Sequence, residues 1–213
     1  MTRTVILDFD GTLADTAASV VATFNATLKA LSLPQLSETG VRQLIGLPLD
    51  ETFRRATGSD DATLIEACCD TYRHLFDSIA EQQAGLFPHV RETLQHLHSK
   101  GLQLCVASSR SRASLLWLLD RLDIARYISL VLGEEDVPNK KPAPDMVLRI
   151  LQQTGTPAQD ALIVGDTTYD LQMGHSALCP VCGVTYGNHS REQLADEKPE
   201  YLIDSFASLC EIV

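Results

Sequence analysis

Two spacings of apolar residues run through this chain. Short, mainly apolar runs at 5–7, 102–107, 129–132, 161–164, 181–186 and 201–204 predict buried strands. Between most of them apolar residues return every three or four positions. This predicts helices at about 89–99 and 113–122, a helix led by Pro144 and a terminal helix from Ser205. Residues 16–84 show only the helical spacing. Val20, Val21, Phe24 and Leu28 mark one helix, capped by Asp15 or Thr16 and ended at Leu33-Pro34. Two short helices are expected at 37–45 and 50–56. A longer one, opened by Asp60 and Asp61, carries Leu64, Ile65, Cys68, Tyr72, Leu75, Phe76 and Ile79 on its inner side. The change of texture predicts an α/β core with a Rossmann-like parallel sheet, built from residues 1–15 and 85–213, and an inserted all-α domain at 16–84.

With 213 residues, 45% of them hydrophobic, the chain can bury one substantial core and a small appended module. No apolar run approaches the roughly eighteen residues of a membrane span. Arg3 precedes a strand-like run with no small-residue cleavage site, so the start reads as a core strand and not a signal peptide, and the expected location is cytoplasmic. The formal charge of −11 argues against a nucleic-acid or anionic-membrane surface. An anionic substrate would need local cations. The six cysteines (Cys68, Cys69, Cys105, Cys179, Cys182 and Cys210) lie mostly in apolar segments and read as buried thiols. Cys179-Pro-Val-Cys182 looks like half of a redox or zinc site, but no second pair accompanies it. His96 and His98 face different directions on a helix, and all six histidines read as surface or packing residues.

Candidate chemistry gathers where predicted strands end. Asp8 and Asp10 follow the first strand two residues apart, so in an extended chain their carboxylates lie on one side and repel unless a cation or a proton sits between them. Gly11 permits a sharp turn, and Thr12 offers a hydroxyl to a neighbouring acid. After the strand at 102–107 come Ser108 and Ser109, with backbone amides suited to a phosphate. Lys140 and Lys141, two of only five lysines, precede Pro142-Ala143-Pro144-Asp145. The strand at 161–164 ends in Gly165-Asp166-Thr167-Thr168-Tyr169-Asp170, whose two acids share one side of a helical first turn. Gly187-Asn188-His189-Ser190 supplies another loop for the same rim. In an open parallel sheet, ligands bind beyond the carboxyl ends of the strands, where these residues would meet.

Asp8-Phe9-Asp10-Gly11-Thr12-Leu13-Ala14-Asp15-Thr16, Ser108 after its strand, Lys141 before Pro-Ala-Pro-Asp, and Gly165-Asp166 with Asp170 resemble, in order, the four motifs of the haloacid dehalogenase superfamily. The resemblance covers nearly the whole chain and is closest to phosphoglycolate phosphatases and related small-molecule phosphatases. It implies that 16–84 is a helical cap over the active site. It also implies a Mg²⁺-dependent phosphatase that acts on a small phosphate ester through an aspartyl-phosphate. Asp8 would be the nucleophile and Asp10 the general acid and base. The side chains of Asp8 and Asp166 and the carbonyl of Asp10 would hold Mg²⁺, with Asp170 acting through a water or from behind these ligands. Ser108, Ser109 and Lys141 would bind the phosphoryl group. Gly46-Leu47-Pro48-Leu49 resembles the substrate-facing cap loop, and Arg42, Arg54 or Arg55 would meet a substrate carboxylate. Asp10 disfavours a dehalogenase, whose halide leaving group needs no proton. A sugar phosphomutase and a non-catalytic phosphate-binding module are the alternatives, and both monomer and homodimer remain open. Ala177-Leu178 departs from the Ala-Gly that relatives often carry.

Overall fold

The computed structural model describes residues 2–213, without the side chains at 77 and 80–83. Strands β1 (Thr4–Leu7), β4 (Gln103–Ala107), β5 (Leu130–Leu132), β6 (Ala161–Gly165), β7 (Val181–Val184) and β8 (Tyr201–Ile203) form one sheet. Its order is β5-β4-β1-β6-β7-β8, and every pairing is parallel. β1 is central, with Ile6 opposite Cys105 on one side and Ile163 on the other. Its side chains are all buried, because helices cover both faces and leave no position on the strand for a solvated residue.

Alternation along β1 divides the core. Val5 and Leu7 pack with Leu94 and Leu97 of α5 (Val90–Ser99), Leu115 and Leu118 of α6 (Arg112–Arg121) and Leu209 of α10 (Leu209–Ile212). Ile6 packs on the other face with Met146 and Ile150 of α7 (Asp145–Thr154), Leu171 of α8 (Thr168–Ser176) and Leu194 of α9 (Arg191–Asp196).

Between β2 (Ala14–Asp15) and β3 (Gly85–Leu86) the chain makes four helices: α1 (Ala17–Ala30), α2 (Glu38–Arg42), α3 (Leu49–Thr57) and α4 (Ala62–Gln83). A column of rings joins three of them. Phe24 stacks on Phe53 at 4.5 Å, Phe53 meets Tyr72 edge-on at 6.1 Å, and Tyr72 stacks near Phe76 at 5.7 Å. β2 and β3 pair antiparallel, Ala14 opposite Leu86, so the chain enters and leaves the helical segment through one small clasp.

Several local details differ from the sequence expectations. The clasp was not foreseen, since two residues per strand carry no readable period. Thr16 does not cap α1 with its side chain, because its hydroxyl donates to Asp10 Oδ1 at 2.5 Å. The helix expected at 37–45 ends at Arg42, and the strand expected through Tyr186 ends at Val184. The terminal helix is split into a short turn, Phe206–Ser208, and α10. α9 was not anticipated; Ser190 caps it and exchanges hydrogen bonds with Gln193. All six thiols are free, and burial pushes Cys179 up to about 11 and Cys182 up to about 12, so the Cys-Pro-Val-Cys segment is an inert part of the core.

Candidate active site

Three neighbouring strands deliver the first residues of the site. Asp8 follows β1 and continues its pairing, with its N–H donating to Val164 O at 2.9 Å. Ser108 follows β4, and its N–H donates to Leu132 O at 3.2 Å. Asp166 follows β6. Since β1 lies between β4 and β6, all three emerge side by side at the carboxyl edge of the sheet. Lys141 arrives from the loop between β5 and α7. Its Nζ donates to Asp8 Oδ1 and Asp170 Oδ1, both at 2.6 Å, entirely out of solvent. Of the two adjacent lysines Lys141 is the one that reaches these acids, whereas Lys140 bonds Asp50 at 3.2 Å and Glu134 at 3.0 Å.

Asp8, Asp166 and Asp170 each bring a carboxylate oxygen within 4.8 Å of the others. Burial first, then the charges of Asp170 and Asp166, push the Asp8 carboxyl well up, although Lys141 pulls it down. Burial would lower the Lys141 ammonium, but Asp170 and Asp8 outweigh it and hold the group charged. Asp166 is pushed up to about 7 by burial and Asp170, against the donors around it. Those donors are the Thr12 hydroxyl at 3.0 Å and the Asn188 backbone N–H and side-chain amide at 2.8 and 2.9 Å. Gly11, at φ +88°, is required here, since a Cβ would overlap the Asp166 carboxylate. Asp170 also accepts from the Thr167 hydroxyl at 2.7 Å and its N–H at 3.1 Å, reciprocally capping α8.

The donor set suits a hard divalent cation. Every candidate ligand is oxygen, the cluster carries three acids against one ammonium, and Asp8 Oδ2 is buried with no hydrogen-bond partner.

Asp10 is held by a residue that sequence reasoning did not single out. Arg110 forks onto it, Nη2 to Oδ1 at 2.6 Å and Nε to Oδ2 at 3.0 Å, while its guanidinium lies 4.2 Å from the Phe76 ring centroid. Burial pushes the Asp10 carboxyl up, but Arg110 and the Thr16 hydroxyl more than offset it, and the group lies below the ordinary carboxylate value. The only sequence signal was an arginine three residues past a strand end.

The remaining expected residues separate. Ser108 is buried beside Asp8 and Asp10, and its Oγ accepts from Arg110 N at 3.3 Å. Ser109 also lines the cavity, where its hydroxyl donates to Gly46 O of the helical segment at 2.7 Å. Leu47 lines the cavity above the acids. Arg42 and Arg54 do not; they pair along their own helices with Glu38 at 3.0 Å and Asp50 at 2.9 Å, and Arg55 does the same with Glu51. The loop at 187–190 reaches the rim as expected. His189 is buried there, and its Nδ1 accepts from Thr168 N at 3.1 Å at the start of α8.

A doubly wound sheet that gathers acids and one buried lysine at adjacent strand ends is an α/β scaffold arranged for chemistry on an anionic substrate. More specifically, the chain belongs to the haloacid dehalogenase-like hydrolases, whose family model matches residues 5–184. It is 36% identical over 228 aligned positions to the phosphoglycolate phosphatases of Salmonella typhimurium and Escherichia coli O157:H7, covering 97% of this chain and 90% of each relative. A solved structure described as a haloacid dehalogenase-like hydrolase from Bacteroides fragilis superposes with a TM-score of 0.94. It is 26% identical and covers 98% of this chain and 100% of that one.

Proposed function

We propose that this protein is a Mg²⁺-dependent phosphatase that hydrolyses a small phosphomonoester through an aspartyl-phosphate on Asp8. The observation that carries the reading is the position of Asp8, whose Oδ1 is fixed by Lys141 while Oδ2 stays unpartnered. That is the state of an oriented nucleophile with a lone pair to give. Mg²⁺ would be held by the side chains of Asp8 and Asp166 and the Asp10 carbonyl, and when bound it would offset the charge of the phosphoryl group. Asp170 holds Lys141 and the start of α8, contacts that support a role behind the ligands.

Asp8 attacks phosphorus, the ester P–O bond breaks, and Asp10 gives a proton to the departing alkoxide. Water then attacks the phosphoryl-aspartate, Asp10 takes its proton, and inorganic phosphate leaves Asp8 free. Held by Arg110 as a carboxylate, Asp10 is prepared for the second half. For the first half it must take up a proton. Ser108 and Lys141 bind the phosphoryl oxygens. Residues 16–84 act as a cap that excludes water, a role supported by three contacts with the core: Ser109 to Gly46, Lys140 to Asp50, and Arg73 to Glu134 at 3.4 Å.

The test is hydrolysis of para-nitrophenyl phosphate with Mg²⁺, for wild type against Asp8→Asn. Turnover in wild type that the variant lacks supports the reading, and equal rates overturn it. Phosphoglycolate, from the relatives' names, is the first physiological compound to assay.

A further inference from the structure

Above Asp8 and Asp10 lies a cavity of about 560 Å³. Its floor is polar, with the two acids and Ser108, and its walls are mainly apolar, with the hydroxyls of Thr52, Ser111 and Ser114 among them. Val20, Phe24, Leu44, Leu47 and Phe76 face it from the helical segment, and Trp117 of α6 faces it from the core. A volume of this size falls in the range, about 300–1,000 Å³, that encloses drug-sized ligands, well beyond the needs of a two-carbon acid.

The charges around the cavity are already committed. Two cations line it, among the described residues. Arg110 is occupied by Asp10. Arg73 is shared between Asp70 at 3.2 Å and Glu134 at 3.4 Å. Glu134 itself lines the cavity, and the cap arginines Arg42, Arg54 and Arg55 lie outside it. A second anionic group on the substrate would therefore meet apolar side chains, a few hydroxyls and a carboxylate, with no uncommitted cation to receive it. Burying a charge without a partner is costly, whereas burying an apolar body against these walls is favourable.

We propose that the substrate is the phosphomonoester of an uncharged, bulky, largely apolar alcohol, and that phosphoglycolate is turned over poorly. This rests on the phosphatase reading and narrows its leaving group. The wall residues, with Leu44 and Trp117 on opposite sides, are the specificity determinants.

The experiment compares kcat/KM of the full chain with Mg²⁺ on ethyl phosphate, 2-phenylethyl phosphate and phosphoglycolate, three alkyl esters. Burial of a phenyl-sized group predicts that 2-phenylethyl phosphate exceeds each of the others by about tenfold or more. The ratio of 2-phenylethyl to ethyl phosphate should fall about tenfold in Leu44→Arg, and should also fall in Trp117→Ala. Phosphoglycolate turned over as fast as the phenylethyl ester, or faster, overturns the inference. If para-nitrophenyl phosphate is still hydrolysed in that case, the phosphatase reading survives. If neither para-nitrophenyl phosphate nor any of the three alkyl esters is hydrolysed, both fail.

Discussion

Asp8, Asp166 and Asp170 place three acids in a buried site that contains one ammonium, Lys141. A dication that binds only the folded chain stabilises it by RT ln(1 + [L]/Kd), about 2.7 kcal/mol at a hundredfold excess over Kd. For a protein of this length each kcal/mol raises Tm by about 2–4 °C, so saturating Mg²⁺ should raise it by about 5–11 °C over the same protein in EDTA. Thermal unfolding followed by circular dichroism measures the increment. Asp166→Asn removes one ligand charge and keeps the local bonds possible: Asn188 can still donate to the amide oxygen, and the Thr12 hydroxyl can accept from the amide. In that variant the increment should shrink to about a quarter or less.

The sign of the pH dependence follows from the same site. With Asp166 at about 7 in the folded protein against an ordinary 3.8, the folded state holds the proton more tightly. The stability this contributes is complete below the unfolded value and is lost as pH rises through about 7; Asp8, shifted in the same direction, adds to the loss. In EDTA, Tm should therefore decline between pH 5 and pH 8, and Mg²⁺ should flatten the decline. An unchanged Tm on adding millimolar Mg²⁺ to wild type at pH 8 would show that these acids do not form a cation site.

Lys141→Ala leaves Asp8 and Asp170 buried without their shared cation and should cost about 3–5 kcal/mol in urea unfolding, with loss of turnover; a cost near zero would show that the pair is not buried as described. Arg110→Met removes the guanidinium that holds Asp10 down, so the acidic limb of the para-nitrophenyl phosphate pH–rate profile should move to higher pH, because this leaving group needs no proton and only the base role of Asp10 is read. An unshifted limb would separate Asp10 from that role. Leu178 sits at φ +59°, exposed just past α8, where a side chain is strained; Leu178→Gly should raise Tm by about 2–4 °C, and a lower Tm would contradict the strain.

Much of the framework was legible along the chain. A strand covered on both faces must be apolar throughout, so the runs at 5–7 and 161–164 announced themselves, and the first acids after them marked strand ends. Lys141 was legible for a similar reason, as a cation beside rigid prolines in a chain short of lysine. The pairing of Arg42 and Arg54 was legible too, since Glu38 and Asp50 stand four residues before them on the same helix face.

Other features had no local signature at all. Ser108 and Ser109 are chemically identical neighbours that both line the cavity, yet one lies beside the acids and the other donates to Gly46 O. Arg110 and Asp10 are 100 residues apart, and Asn188 and Asp166 are 22 apart. Whether such a charge ends in solvent, in an ion pair or beneath a ring depends on which distant surfaces close around it. Periodicity reports only which side of an element is dry, whereas the partner of a buried charge is chosen when the helical segment packs down on the ends of the sheet.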